Sequence, residues 1–150
     1  RDLSEAFKDT PHPSLLEVRQ AVLAIRARKF PDIRKEGTAG SFFKNPIVSK
    51  EKAGELLARY PDLPHFESEG GIKLSLAWVL DKILGLRGQR QGGVRAFESQ
   101  PLVLVNDGTA SAKDVRDFAK MIKERVYEAT GITIEPEVCV MHGCSVANRL

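Results

Sequence analysis

Apolar residues recur along this chain in two rhythms, and each change of rhythm marks an element. Leu15, Val18, Val22 and Ile25 return at helical spacing, which predicts a helix over 15–28 with these four as its buried stripe. Ser14 stands at its cap with Glu17 three positions on, and Lys29 followed by Pro31 closes it. Residues 37–48 hold small residues, Phe42, Phe43 and Pro46 without a helical period, which predicts a strand and a turn. A short helix over 51–59, capped by Ser49, is expected next. The stretch 60–71, broken by Pro61, Pro64, Gly70 and Gly71, is expected to be a loop. Apolar residues at 74, 76, 77, 79, 80, 83 and 84 then predict a helix over 73–84 buried around most of its girth, with Trp78 in the core. Glycines 85, 88, 92 and 93 end it and lead into strands near 94–97 and 102–105. The longest predicted helix covers 112–130, with Ser111 and Asp114 at the capping-box spacing and Gly131 at its end. A strand over 132–141 follows.

Helices and short strands mix without regular βαβ alternation, so the fold class is α+β. The expectation is a single domain over 1–150, about four helices packed on a small, mainly antiparallel sheet. An apolar fraction of 42% and a charged fraction of 29% suit such a domain.

Charge narrows the partners. A net +3 from 23 basic and 20 acidic residues is too mild for a nucleic-acid binder, and no basic stripe interleaved with aromatics supports one. Arg26, Arg28, Lys29, Arg34 and Lys35 bunch, as do Arg87, Arg90 and Arg95, which suits either a small phosphorylated anion or a solvated helix face. No apolar run reaches the length of a membrane span, so no membrane partner is expected. Two cysteines, Cys139 and Cys144, fit a reducing, cytoplasmic setting. His142 lies between them, but no fourth ligand follows at zinc spacing, and no metal is expected. The chain begins at Arg1 rather than Met and is expected to be a piece of a longer protein.

Three motifs could carry chemistry. In Gly40-Ser41-Phe42-Phe43-Lys44-Asn45-Pro46 the serine is either a plain turn residue or a hydroxyl held at a strand end toward a ligand; no nucleophile elbow surrounds it. In Ile134-Glu135-Pro136-Glu137-Val138 the proline implies an edge or a bulge, leaving two surface glutamates or turning one carboxylate toward a cleft. Gly85-Leu86-Arg87-Gly88 and Gly92-Gly93 lack the Gly-Lys-Ser/Thr ending of a phosphate loop and the strand–glycine–helix order of a dinucleotide site.

Taken in order, these segments resemble the UDP-N-acetylenolpyruvoylglucosamine reductase (MurB) family of peptidoglycan synthesis, in its C-terminal, substrate-binding domain. The likeness rests on Arg26-x-x-Lys29-x-Pro31-Asp32, Ala39 to Pro46, Lys73-Leu74-x-x-x-Trp78, Gly85 to Gly88, Gly92-Gly93, Leu104-Val105-Asn106 and Glu135 to Val138, and covers about 2–143. Thr38 departs from the asparagine common in the family.

The resemblance implies reduction of UDP-N-acetylglucosamine enolpyruvate to UDP-N-acetylmuramate by NADPH through bound FAD. It implies that Ser41 donates the proton and that Glu137 acts on the enolpyruvyl carboxylate and the developing enolate. Lys29, Asn45 and Gln100 are implied substrate-binding positions, chiefly around the diphosphate. FAD, and an arginine that pairs with the substrate carboxylate, belong to an N-terminal region outside this sequence, so the chain alone is expected to be inactive. The spacing between Asn45 and Lys73 suggests the longer of the family's two architectural types. The rival reading is a stand-alone UDP-sugar-binding module without redox activity.

Overall fold

The structure is a computed structural model that describes residues 2–10 and 12–140. Among the described residues five helices and a π-helical turn accompany seven short strands in two antiparallel sheets, which bears out the α+β class. The helices are α1 (Asp2–Ala6), α2 (Leu15–Lys29), α3 (Lys50–Arg59), α4 (Leu76–Trp78) and α5 (Ala112–Thr130). Strands β1 (Gly37–Ser41), β5 (Arg90–Gln91), β6 (Val94–Ala96) and β7 (Val103–Asn106) form one sheet in the order β1-β7-β6-β5. Strands β2 (Ile47–Val48), β3 (His65–Ser68) and β4 (Gly71–Leu74) form the other, in the order β2-β4-β3.

One core joins them. Phe118, Ile122 and Val126 on successive turns of α5 pack with Val94, Ala96 and Leu104 of the four-stranded sheet and with Leu74, Leu76 and Leu80. Alternation decides the faces. Leu104 enters this core while its neighbours Val103 and Val105, both fully buried, point to the opposite, outer face.

The helix ends fall where side chains satisfy the backbone. Ser14 and Ser111 each accept from the third amide on, and Glu17 and Asp114 return the bond. Gly131, at φ 69°, turns the chain out of α5.

Four expectations need correction. The stripe of α2 is not buried: no residue of this helix is, and Leu15 is 90% exposed. Val18, Val22 and Ile25 are half-covered, because α2 packs chiefly on α1 rather than on the core. The expected loop 60–71 contains β3, which pairs with β4 across a tight turn at Glu69-Gly70. A Cβ on Gly71 would stand 2.2 Å from the Val48 carbonyl oxygen, so glycine there lets β2 lie against the hairpin.

The helix expected over 73–84 begins as strand β4 and turns helical only after Ser75, whose hydroxyl accepts from the Trp78 amide at 3.4 Å. It continues as a π turn over Val79–Ile83, in which the Leu84 amide reaches back to the Val79 carbonyl. Trp78 is half-buried against the core, edge-on to Tyr60. The expected strand over 132–141 is reduced, within the described residues, to a single antiparallel bridge between Phe43 and Pro136. Proline has no amide hydrogen to continue a ladder. Helix α1 and strand β5, too short to show a period, were not foreseen in the sequence.

Candidate functional site

Strand β1 owes its shape to an irregularity. Thr38 stands opposite Val105 and Ser41 opposite Val103, so β1 spends Ala39 and Gly40 where β7 spends Leu104 alone. This is a β-bulge, with Gly40 at φ 80° and its amide donating to the Thr38 hydroxyl at 3.1 Å. Directly opposed residues share a face, so the extra residue turns Ser41 onto the outer face with Thr38, Val103 and Val105. Without it, strict alternation would send Ser41 to the core face. Ser41 is half-buried at this strand end.

The chain after Ser41 is held on both sides. The Phe42 amide donates to the Leu102 carbonyl at 2.8 Å, and the Phe42 carbonyl accepts from the Glu137 amide at 2.8 Å. The Lys44 amide donates to the Glu135 carbonyl at 3.0 Å. Backbone bonds therefore seat Glu137 beside the residue that follows Ser41. Its side chain, however, is exposed, and this chain alone does not provide the shelter expected of a carboxyl that assists an enolate.

Gln100 lies in the loop joining β6 to β7, where its carbonyl accepts from the Val103 amide at 2.9 Å. Because Val103 faces Ser41, the loop and the serine occupy the same end of the sheet. Asn45 is used differently. Its Oδ1 accepts from the Leu76 amide at 2.9 Å, capping α4, and the residue lines a cavity of about 380 Å³ with Phe66, Lys73 and Ser75. Lys29 is exposed in the last turn of α2 beside Arg26 and Arg28. Between that end of α2 and β1 lies a cavity of about 700 Å³, walled by Arg26, Phe30, Arg34, Thr38 and Gly40 among others. Ser41, Gln100 and the Glu137 backbone are thus brought to one sheet end, Lys29 flanks the cavity next to it, and Asn45 opens onto its own.

The basic walls are partly neutralised. Arg34 grips Asp32 through Nε and Nη2 at 2.9 Å each, and these bonds hold the half-buried Asp32 carboxyl down at about 2. Deeper in the fold, Arg95 of β6 is 9% exposed on the outer face. It forks onto Glu36 at 2.6 and 2.9 Å and reaches Glu98 at 3.1 Å. The hydrogen bonds from Arg95 hold the Glu36 carboxyl below its ordinary range.

The family profile described as "UDP-N-acetylenolpyruvoylglucosamine reductase, C-terminal domain" matches residues 32–141. The chain belongs to this family. Curated proteins called UDP-N-acetylenolpyruvoylglucosamine reductase agree with that assignment. The one from Chromobacterium violaceum is 42% identical over 130 residues, 86% of this chain and 38% of that protein. The one from Polynucleobacter asymbioticus is 41% identical over 137 residues, 91% of this chain and 39% of its own length. The one from Neisseria gonorrhoeae is 44% identical over 122 residues, 81% and 35% respectively. The chain therefore spans somewhat more than a third of the reductases it matches.

Within this reductase-family domain, sequence reading missed several side chains. Arg26 and Arg34 stand in the cavity beside β1, and Phe66 and Lys73 stand with Asn45. The bunched cations were visible in the sequence, but which of them face a cavity was not. Phe66 lay in a stretch expected to be loop, and pairing opposite Lys73 brings it to Asn45. A second groove of about 370 Å³, between α5 and residues 136–140, has Phe42, Phe43, Arg116, Lys120 and Lys123 in its walls and none of the five expected site residues. Among the described residues no three His, Cys, Asp or Glu side chains gather as a metal site. Cys139 is a free, exposed thiol, while His142 and Cys144 lie outside the described residues. No described helix is long and apolar enough to cross a membrane.

Proposed function

We propose that this chain is the substrate-binding and proton-donating domain of an NADPH-dependent flavoenzyme that reduces UDP-N-acetylglucosamine enolpyruvate to UDP-N-acetylmuramate for peptidoglycan synthesis. Membership of the family supports the reaction. The observation that carries the division of roles is the bulge at Gly40, which turns Ser41 to the outer face beside a cation-walled cavity. The same strand end holds Glu137 through the Phe42 carbonyl.

The described residues form no dinucleotide-binding fold that would hold FAD. Every strand pair is antiparallel, and no Gly-x-Gly-x-x-Gly turn leads from a strand to a helix N-terminus. FAD is assigned to the remainder of a longer polypeptide, as is hydride delivery. This chain's share begins once the terminal enolpyruvyl carbon has gained hydride and the electron pair of the double bond resides on the carbon next to the carboxylate. Ser41 gives its hydroxyl proton to that carbon, forming the second C–H bond, and recovers a proton from solvent. A serine hydroxyl is a weak acid in water, but a carbanion is a strong base, and position supplies the rest. Glu137, acting on the carboxylate, steadies the charge as a hydrogen-bond donor, in a sheltered site that the remainder of the polypeptide must complete. Lys29 and Gln100, with Arg26 added from the structure, hold the nucleotide diphosphate by charge and by a neutral amide donor, while Asn45 and Lys73, in their own cavity, hold another part of the substrate.

The test is Ser41→Ala in the full-length protein that carries this chain. Flavin reduction by NADPH should be unchanged, because it needs no proton at the substrate. Reoxidation by the enolpyruvyl substrate, followed by rapid mixing, should slow roughly a hundred- to ten-thousand-fold. Ser41→Cys should recover part of that rate. Reoxidation of the alanine variant at the parent rate, with the lactyl product formed, would return Ser41 to a turn residue.

A further inference from the structure

We infer that Arg95 is a positioning residue of the proton-donating site, because one buried guanidinium ties together the two segments that carry Ser41 and Gln100. The inference rests on the function proposed above and adds a residue to it.

The geometry starts from the register of the four-stranded sheet. Arg90, Arg95, Val105 and Thr38 stand opposite one another across β5, β6, β7 and β1, forming a single row on the outer face. Arg95 is the buried cation of that row, at 9% exposure. Its fork, Nη1 at 2.6 Å and Nη2 at 2.9 Å, closes on the Glu36 carboxylate, and Glu36 is the residue immediately before β1. Its remaining Nε donates to Glu98 Oε1 at 3.1 Å, and its guanidinium lies 5.9 Å from the centre of the Phe97 ring. Glu98 and Phe97 belong to the β6–β7 loop, two and three residues from Gln100 by sequence.

The loop is fastened again by Arg87, whose Nη1 donates to the Glu98 carbonyl at 3.2 Å. Ser41 is reached from both ends of this clamp. Glu36 fixes where β1 begins, and the loop fixes Val103, the residue opposite Ser41.

Stability alone does not explain such an arrangement. A buried cation gains about as much from the Coulomb attraction of its partners as it loses on desolvation, and an apolar residue of equal volume serves a fold as well or better. What the fork adds, beyond the backbone bonds that join β1 to β7, is a fixed distance and angle between the strand start and the side of the loop that carries Glu98. A proton donor needs that constraint, since a misplacement of about 1 Å costs on the order of a hundredfold in rate. Lysine cannot replace it, because a single ammonium on a flexible stem does not hold two carboxylates in a plane.

The experiment uses the full-length protein with Arg95→Met, Arg95→Lys and Glu98→Ala, read in two independent ways. In the first, hydrogen exchange followed by mass spectrometry compares peptides covering 37–43 and 97–103 with peptides of α5. Arg95→Met should raise exchange in both site peptides and leave α5 at its parent level. Glu98→Ala, which removes one arm of the clamp and spares the fork, should raise exchange in 97–103 only. In the second, flavin reoxidation by the enolpyruvyl substrate should slow about ten- to a hundred-fold in Arg95→Met with KM within about twofold. Arg95→Lys should not rescue it. The same substitution in a Ser41→Ala background should cost no further rate, because Arg95 acts through the serine.

A folded Arg95→Met protein with parent exchange in both peptides, or rescue by lysine, overturns the inference. If Arg95→Met does not fold, Glu98→Ala decides alone, and unchanged exchange in 97–103 overturns it. Failure of the proposed function reads differently: Ser41→Ala would then keep its rate, whatever the exchange of the Arg95 variants.

Discussion

At the scale of the residue, the decisive position is Gly40. Its φ of 80° lies where L side chains are strained, yet a Cβ built there would meet nothing within 4 Å. The penalty for a side chain is therefore conformational, about 1–2 kcal/mol, and not a clash. Gly40→Ala relieves that strain only by undoing the bulge, and undoing the bulge sends Ser41 toward the core face. In the full-length protein we expect Gly40→Ala to lower turnover at least about tenfold. Gly37→Ala is the control, since its Cβ would meet Asn106 no closer than an ordinary 3.8 Å, and it should stay within about twofold. Steady-state rates beside a urea melt of each variant make the comparison. Equal rates for the two variants would show that the bulge does not orient the serine.

The residue types of this site were legible in the sequence. Ser41, Asn45 and Glu137 stand in motifs that the family resemblance picked out, and the structure places Ser41 and the Glu137 backbone at one strand end. The face onto which Ser41 turns was not legible. Glycine is common in turns, and nothing local says that Gly40 adds a residue to a strand rather than ending it.

At the scale of the element, helix ends were read well because capping is local chemistry. The side chain that satisfies an orphan amide lies three residues away in sequence, as Ser14 with Glu17 and Ser111 with Asp114 show. The far end of α5 is equally local. Gly131 adopts φ 69°, and its amide bonds the Tyr127 carbonyl at 2.7 Å. Gly131→Ala should destabilise the domain by about 1 kcal/mol, since alanine is strained in the left-handed region. The only close neighbour of its new methyl is the Lys52 ammonium at 3.2 Å, the free end of a flexible side chain that can move aside. Urea unfolding checks this, and an alanine variant as stable as the parent would mean that the cap contributes nothing. Elements defined by partners were read poorly. β3 has no period of its own and becomes a strand by pairing with β4. The last apolar run reads as a strand in isolation, yet Pro136 leaves it one bridge.

At the scale of the whole molecule, ion pairs distribute acid sensitivity through the fold. Arg95 lowers the Glu36 carboxyl below its ordinary 4.5, and Arg87 lowers Asp81 below 3.8, in each case chiefly through a hydrogen bond to the charged form. A carboxyl depressed in the folded state binds fewer protons there than in the unfolded chain. Its contribution is complete above the ordinary value and is lost as pH falls through the depressed one. The melting temperature should therefore hold steady down to the ordinary carboxylate range and decline as pH falls from about 5 to about 3, and Glu36→Gln should flatten part of that decline. Circular-dichroism melts across this interval measure it. A melting temperature that does not change there would remove these pairs from the stability of the fold.

The sequence by itself determined the fold class, the capped helices, the family and the residue types of the site. Each of these follows from local spacing or from short motifs in a fixed order. Tertiary structure alone decided which way Ser41 faces, that Glu137 is tied to the strand carrying it, that Phe66 and Lys73 join Asn45, and that Arg95 bridges β1 to the loop of Gln100. It also decided that the apolar stripe of α2 stays half-covered, because burial needs a partner surface and period alone supplies none. The physical reason is common to all five. Register, face and pairing are set by contacts between residues far apart in sequence, where a shift of one position inverts a side chain's direction and leaves composition unchanged.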